Sequence, residues 1–253
     1  MNHQQHNISG LFQPLSSFGQ KLEEYKQLEL NLQRPISLNG LSFYQDEFDG
    51  KLRPAIGTVF NTTWSKKTIT VPKRQQNLDK RESDWIAYRN RTEGASFHKM
   101  MEQHFNNQPL AHYCDRIKAY RLSIEPVIEK ISEVHLVEKV VPWKGILPYA
   151  AKLDFMGKYD GILHVIEWTS STQAISELAF LGNGNKLEQV TAQVKAVRNF
   201  YNLEISHALI VVAHPYTDAT VFTLELKDLA NCWENQLVPR LKRFYGDQMS
   251  LAC

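Results

Sequence analysis

Cysteine is scarce in this chain of 253 residues: three in all, Cys114, Cys232 and Cys253, widely spaced and without a C-x-x-C pair. That pattern excludes a disulfide-stapled scaffold and a cysteine zinc framework, and it fits free thiols in a reducing compartment. Net charge is nearly absent too, with 29 Lys+Arg against 27 Asp+Glu, so no global argument points to a polyanionic partner. No long apolar run exists. The longest, Ala208 to Ala213, is far short of the roughly 20 residues that span a bilayer and reads as a buried strand. The N-terminus to Gln13 is polar and rich in His and Gln, without the basic-then-apolar order of a secretory signal, so a cytoplasmic protein is expected. Repeats and low-complexity tracts are missing as well.

What remains is a chain with 43% hydrophobic residues, enough to bury a core of one large or two small domains. Spacing predicts helices near Gly19 to Leu32, over Leu78 to Phe105 with a possible break at Gly94, and over Tyr113 to Ile131 with an interruption near Pro126. After Ser132 the texture turns β-branched and alternating: Val134 to Val137, Val140 and Val141, Lys152 to Tyr159, and Ile162 to Thr169. A helical stripe follows from Leu187 to Tyr201. Two more strands follow at Ala208 to Ala213 and Val221 to Leu226, then an amphipathic helix that Pro239 should kink. The order predicts an α/β fold with one mixed sheet flanked by helices and a mostly helical N-terminal half. The expected division is an N-terminal extension and basic connection over 1–80, then a domain over 81–253. Lys66, Lys67, Lys73 and Arg74 crowd into that connection, as a solvated loop or as an arm for phosphates.

Asp160-Gly161 between two alternating segments is a strong hairpin signal, because both central positions need positive φ. If Tyr159 faces Ile162, Asp154 lies opposite Glu167 and Lys152 opposite Thr169. Leu153, Phe155, Tyr159, Ile162, Ile166 and Trp168 then form a core face, and the acids share the other face with Lys152 and Lys158. Two carboxylates across a ladder repel unless a cation lies between them, and oxygen ligands favour Mg²⁺ or Mn²⁺. The plain alternative is a pair of solvent-facing acids.

Asp154 followed by Glu167-Trp168-Thr169 resembles the PD-(D/E)XK nuclease signature in its RecB-type form. Gly94-Ala-Ser-Phe-His98 is similar to that form's Gly-x-x-x-His motif, and Gln189 to the start of its Gln-x-x-x-Tyr motif. Tyr149 to Asp154, Val165 to Trp168 and Ala208 to Ala213 resemble the mitochondrial genome maintenance exonuclease group in particular. The likeness runs from about Arg91 to Tyr245. It implies a restriction-endonuclease-like core and a metal-dependent DNA nuclease acting on single-stranded or flapped DNA with free ends. His98, Asp154, Glu167 and the main-chain carbonyl of Trp168 would hold the metal, and Gln189 would help place the DNA or the site. Apart from the likeness, Thr169 and Ser170 are candidates to border the DNA, with a cap for a following helix as the plainer role of Ser170. Glu102, one turn after His98, could orient its imidazole.

Three departures stand out. Thr169 occupies the family lysine position, and a hydroxyl cannot supply its positive charge. Ala151 replaces a glycine and Gln193 a tyrosine. The missing ammonium comes from Lys152 across the ladder, or from Lys158, or the chain is a silent DNA-binding or scaffold protein.

Overall fold

A computed structural model describes residues 34–46, 49–63, 79–172 and 185–250, with side chains to 247. The helix expected near Gly19 to Leu32 and the cations Lys66, Lys67, Lys73 and Arg74 lie outside these residues. Cys114 and Cys232 are free thiols.

The chain opens on β1 (Ile36–Leu38), β2 (Leu41–Gln45) and β3 (Leu52–Pro54), a three-stranded antiparallel sheet in sequential order. Helix α1 (Ile56–Thr63) follows directly. The described part ahead of position 80 therefore has more strand than the helical reading expected. Ile56, Val59 and Phe60 bury into the main core, whereas the basic connection expected after them lies almost wholly outside the described residues.

Helix α2 (Lys80–Phe105) runs without interruption through Gly94, and Asp79 caps it by accepting from the Glu82 N–H at 2.8 Å. The break expected at Gly94 does not occur, because a single glycine weakens a long helix without ending it. Then come α3 (Asp115–Ser123) and the short α4 (Glu125–Ile128), with Pro126 in its first turn, where the absent N–H costs nothing.

The central sheet has the order β4 (Ile131–Trp143), β5 (Tyr149–Tyr159), β6 (Ile162–Ser170), β7 (His207–Ala213), β8 (Thr220–Glu225). All neighbours are antiparallel except β6 and β7. Helix α5 (Lys186–Tyr201) lies between those two strands in sequence, the connection that a parallel pair requires. The chain ends with α6 (Leu226–Cys232), a π-helical turn (Trp233–Leu237) and α7 (Val238–Ser250). The π turn immediately precedes Val238-Pro239, so Pro239 falls in the first turn of α7 and not inside a continuous α-helix.

Two apolar layers sandwich this sheet. On one face Val190, Val194 and Val197 of α5 pack with α1, α7, Val165, Ile210 and Val212. On the other, Phe97, Met101 and Phe105 of α2 pack with Phe155, Ile166, Trp168, Leu209 and Val211. The alternation of Leu209 to Val212 between layers is why β7 reads as a continuous apolar run. The fold is thus mixed α/β, a five-stranded mixed sheet flanked by helices.

Candidate metal centre

The Asp-Gly turn forms as its chemistry demands, with φ +47° at Asp160 and +78° at Gly161. It sets the expected register: the β5–β6 ladder runs from Tyr159↔Ile162 to Phe155↔Ile166. One step farther the expectation fails. Asp154 and Glu167 do not form the next pair; the Trp168 N–H donates instead to Asp154 Oδ2 at 3.1 Å. A strand residue's N–H and C=O leave on the same side, so the Trp168 carbonyl faces the same gap.

On the other flank of β5, the ladder with β4 pairs Val137 with Phe155 and Lys139 with Leu153 but leaves out Glu138 and Asp154 between them. Glu138 has φ +51°, a left-handed conformation rare for a side chain of its size. The strands turn their faces over at this joint. Leu153 packs on the α5 side whereas Phe155 and Trp168 pack on the α2 side. The single core face expected for Leu153 with Phe155 is therefore two faces, and Asp154 lies at the crossover.

Three ligand groups converge there. His98 of α2, Glu138 of β4 and Asp154 of β5 offer donor atoms all within 4.8 Å of one another, a group that could hold a metal ion. His98 Nδ1 is 3.5 Å from Glu138 Oε1 and 3.6 Å from Asp154 Oδ2. Glu102, expected to orient His98, pairs instead with Lys99 at 2.8 Å. Glu138 is thus a residue that the sequence reading missed.

Glu167 sits beside this group but faces α5. It is completely buried, and Gln189 Nε2 donates to its Oε1 at 2.8 Å while Gln193 Nε2 donates to Oε2 at 2.7 Å. Lys186 forms an ion pair with Oε1. Gln193, which stands in the family's tyrosine position, also donates to the Lys152 carbonyl at 2.9 Å and so ties α5 to β5. The acids do not share one face as expected: Glu167 points to α5, and Asp154 occupies the gap between strands.

Lys152 corrects a further expectation. It pairs with Val140 of β4, and its ammonium binds Glu138, not the surroundings of Thr169. Lys158 is farther away near the turn, bonded to Glu133 at 2.7 Å. Thr169 and Ser170 are half-buried at the end of β6, paired with Val212 and Ala213.

The electrostatics describe a site that favours a cation. Burial, then the charge of Glu167, pushes the Asp154 carboxyl well above its ordinary range, against the opposing pull of His98. Burial works against a charged His98, but the bond to Glu138 and the charges of Asp154 and Glu167 outweigh it and raise its pKa. For Glu138 burial is outweighed by His98 and Lys152, and its pKa falls. One imidazole nitrogen with clustered carboxylate oxygens could hold a metal ion.

No protein-family model matches the chain, and no curated protein matches it. Among solved structures it is similar to a protein from Eubacterium rectale named as a putative exonuclease, with a TM-score of 0.40 and 11% identity. The alignment covers 60% of this chain and 66% of that one, just under two thirds of its length. At that TM-score the likeness carries no weight, and the functional reading rests on the side chains. Among the described residues no helix is long and apolar enough to cross a membrane.

Proposed function

We propose that the chain is a divalent-metal-dependent nuclease that hydrolyses phosphodiester bonds of DNA, with single strands or free ends as its substrate. The observation that carries this reading is the convergence of His98, Glu138 and Asp154 within 4.8 Å at a gap in the sheet, beside the buried Glu167. The motif order around Gly94, His98, Asp154, Glu167 and Gln189 supports it.

His98, Glu138 and Asp154 would hold the ion, with the Trp168 carbonyl facing the same gap. The chemistry supplied there by Mg²⁺ or Mn²⁺ is polarisation of a phosphoryl oxygen and acidification of a water. The protein's own part is to fix these donors. Trp168 N–H holds Asp154, and Gln189 and Gln193 hold Glu167, so the acids are positioned before substrate arrives. Gly94 lies one turn before His98 on the same helix face, and a Cβ there would meet nothing within 4 Å, which leaves that approach open. The cations Lys66, Lys67, Lys73 and Arg74 would guide the strand.

The test is incubation of end-labelled linear single-stranded DNA with Mn²⁺ or Mg²⁺, beside an EDTA control and a circular strand. Short products from the linear strand in metal alone are expected, with the circle spared. DNA retention without cleavage would favour the silent binding protein that Thr169 suggests, and absence of both would overturn a nucleic-acid role.

A further inference from the structure

We propose that Lys186, and not Lys152, supplies the ammonium group that position 169 lacks, acting on the phosphate and the attacking water. The inference rests on the nuclease reading above. Residues 167 and 169 are two apart on β6, so their side chains leave the same face of the sheet. Glu167 marks that face as the α5 side, because its carboxylate is held by Lys186, Gln189 and Gln193. A cation that replaces a lysine at 169 must arrive there.

Lys152 arrives on the wrong side. Its neighbours Ala151 and Leu153 both pack in the α5-side core, and its own side chain reaches Glu138 at the far flank of β5. Lys158 is held by Glu133 near the turn. Lys186 meets the requirement from the first turn of α5, because its ammonium binds Glu167, the acid on that face. Its side chain keeps 27% of its surface exposed, whereas Glu167 keeps none. Gln189 and Gln193 already bond both Glu167 oxygens, which leaves the ammonium free to turn to the substrate.

In the step served, a water oxygen bonds to phosphorus while the ester P–O bond breaks. Water gives up one proton, the leaving oxygen takes one, and nothing is oxidised or reduced. An ammonium placed beside this centre orients the water and stabilises charge on the phosphoryl oxygens.

The experiment compares full-length wild type, Lys186→Met, Lys152→Ala, Lys158→Ala and the double variant Thr169→Lys/Lys186→Met. Each is measured for cleavage of labelled single-stranded DNA and for Mn²⁺ binding by electron paramagnetic resonance. Lys186→Met should lose about 100- to 1,000-fold in rate, the scale for one transition-state donor. It should bind Mn²⁺ at least as tightly as wild type, because a competing cation is gone. Lys152→Ala should lose less than about tenfold, Lys158→Ala nothing, and the double variant should regain at least about tenfold over Lys186→Met. Should the single variant fail to fold, recovery of a folded, active double variant supports the assignment in its place. Undiminished cleavage by Lys186→Met, a larger loss in Lys152→Ala, or no rescue by the lysine at 169 overturns the assignment while the nuclease reading stands. A wild type that cleaves nothing overturns both.

Discussion

The two ends of the β5–β6 hairpin are built on different principles. At the turn end, every pair from Tyr159↔Ile162 to Phe155↔Ile166 is joined in a regular ladder, and its partners follow from the two turn residues. At the open end the ladder stops and side chains take its place. Asp154 receives the Trp168 N–H, and two glutamines and a lysine clasp Glu167. The contrast teaches that regular pairing builds the platform, and the candidate chemistry begins where pairing is given up.

The sharpest way to break that comparison is to remove a ligand from the open end. Asp154→Asn, or Glu138→Gln, should lower Mn²⁺-dependent DNA cleavage on the order of 1,000-fold and abolish Mn²⁺ binding, measured by electron paramagnetic resonance, while circular dichroism stays native. Next in size is an insult to the regular end. A Cβ on Gly157 would lie 2.2 Å from the Glu133 carbonyl, a backbone atom that cannot swing aside. Gly157→Ala should therefore cost about 1–3 kcal/mol by overpacking. That is a fall of several degrees in melting temperature, with cleavage per folded molecule kept within about threefold.

A subtler effect separates the ends by pH. Because burial and Glu167 raise the Asp154 carboxyl, ionising it near neutrality works against folding. Stability in EDTA should grow as pH falls through the folded-state value toward the unfolded one, about 3.9. His98 works in the same direction: its raised pKa stabilises the fold below about 6.5 and loses that contribution as pH climbs through the folded value. Asp154→Asn should accordingly raise the EDTA melting temperature near pH 7.5 by about 2–4 °C, for about 1 kcal/mol, and flatten the pH profile. Mn²⁺ affinity should rise with pH, because both groups must shed a proton to bind; calorimetry at three pH values tests this. The smallest change lies at the turn. Gly161→Ala forces a side chain to φ +78° and should cost about 1 kcal/mol without altering Mn²⁺ affinity.

What was legible in the sequence divides along the same line. The hairpin, its register and the α/β order follow from local chemistry, since the Asp-Gly turn and the two periodicities act over a few residues. Asp154 and Glu167 were singled out by the hairpin register, His98 and Gln189 by their resemblance to the nuclease motifs, and all four lie around one gap. Glu138 was not, because it reaches the site through a conformation that alternation does not encode. Its one trace was the interruption between Val137 and Val140, read as the end of a strand when it is a crossover within one. Lys186 was missed, and Gln193 was noted only as a departure from the family tyrosine, because they belong to a helix 19 and 26 residues beyond Glu167, brought back by packing on the sheet. The placement of Lys152 toward Thr169 fails for the same reason: alternation was carried through Asp154, where β5 reverses its faces.

The left-handed backbone at Glu138 has a second consequence, for solubility. Among the described residues β4 is a border strand of 13 residues, long enough to template the addition of a foreign strand. Shifts in its pairing between Ile131 and Leu136 and the reversal at Glu138 divide that border into short stretches, none offering a straight intruder many successive partners. The same irregularity that delivers a carboxylate inward therefore guards the sheet's rim against fibre-like growth.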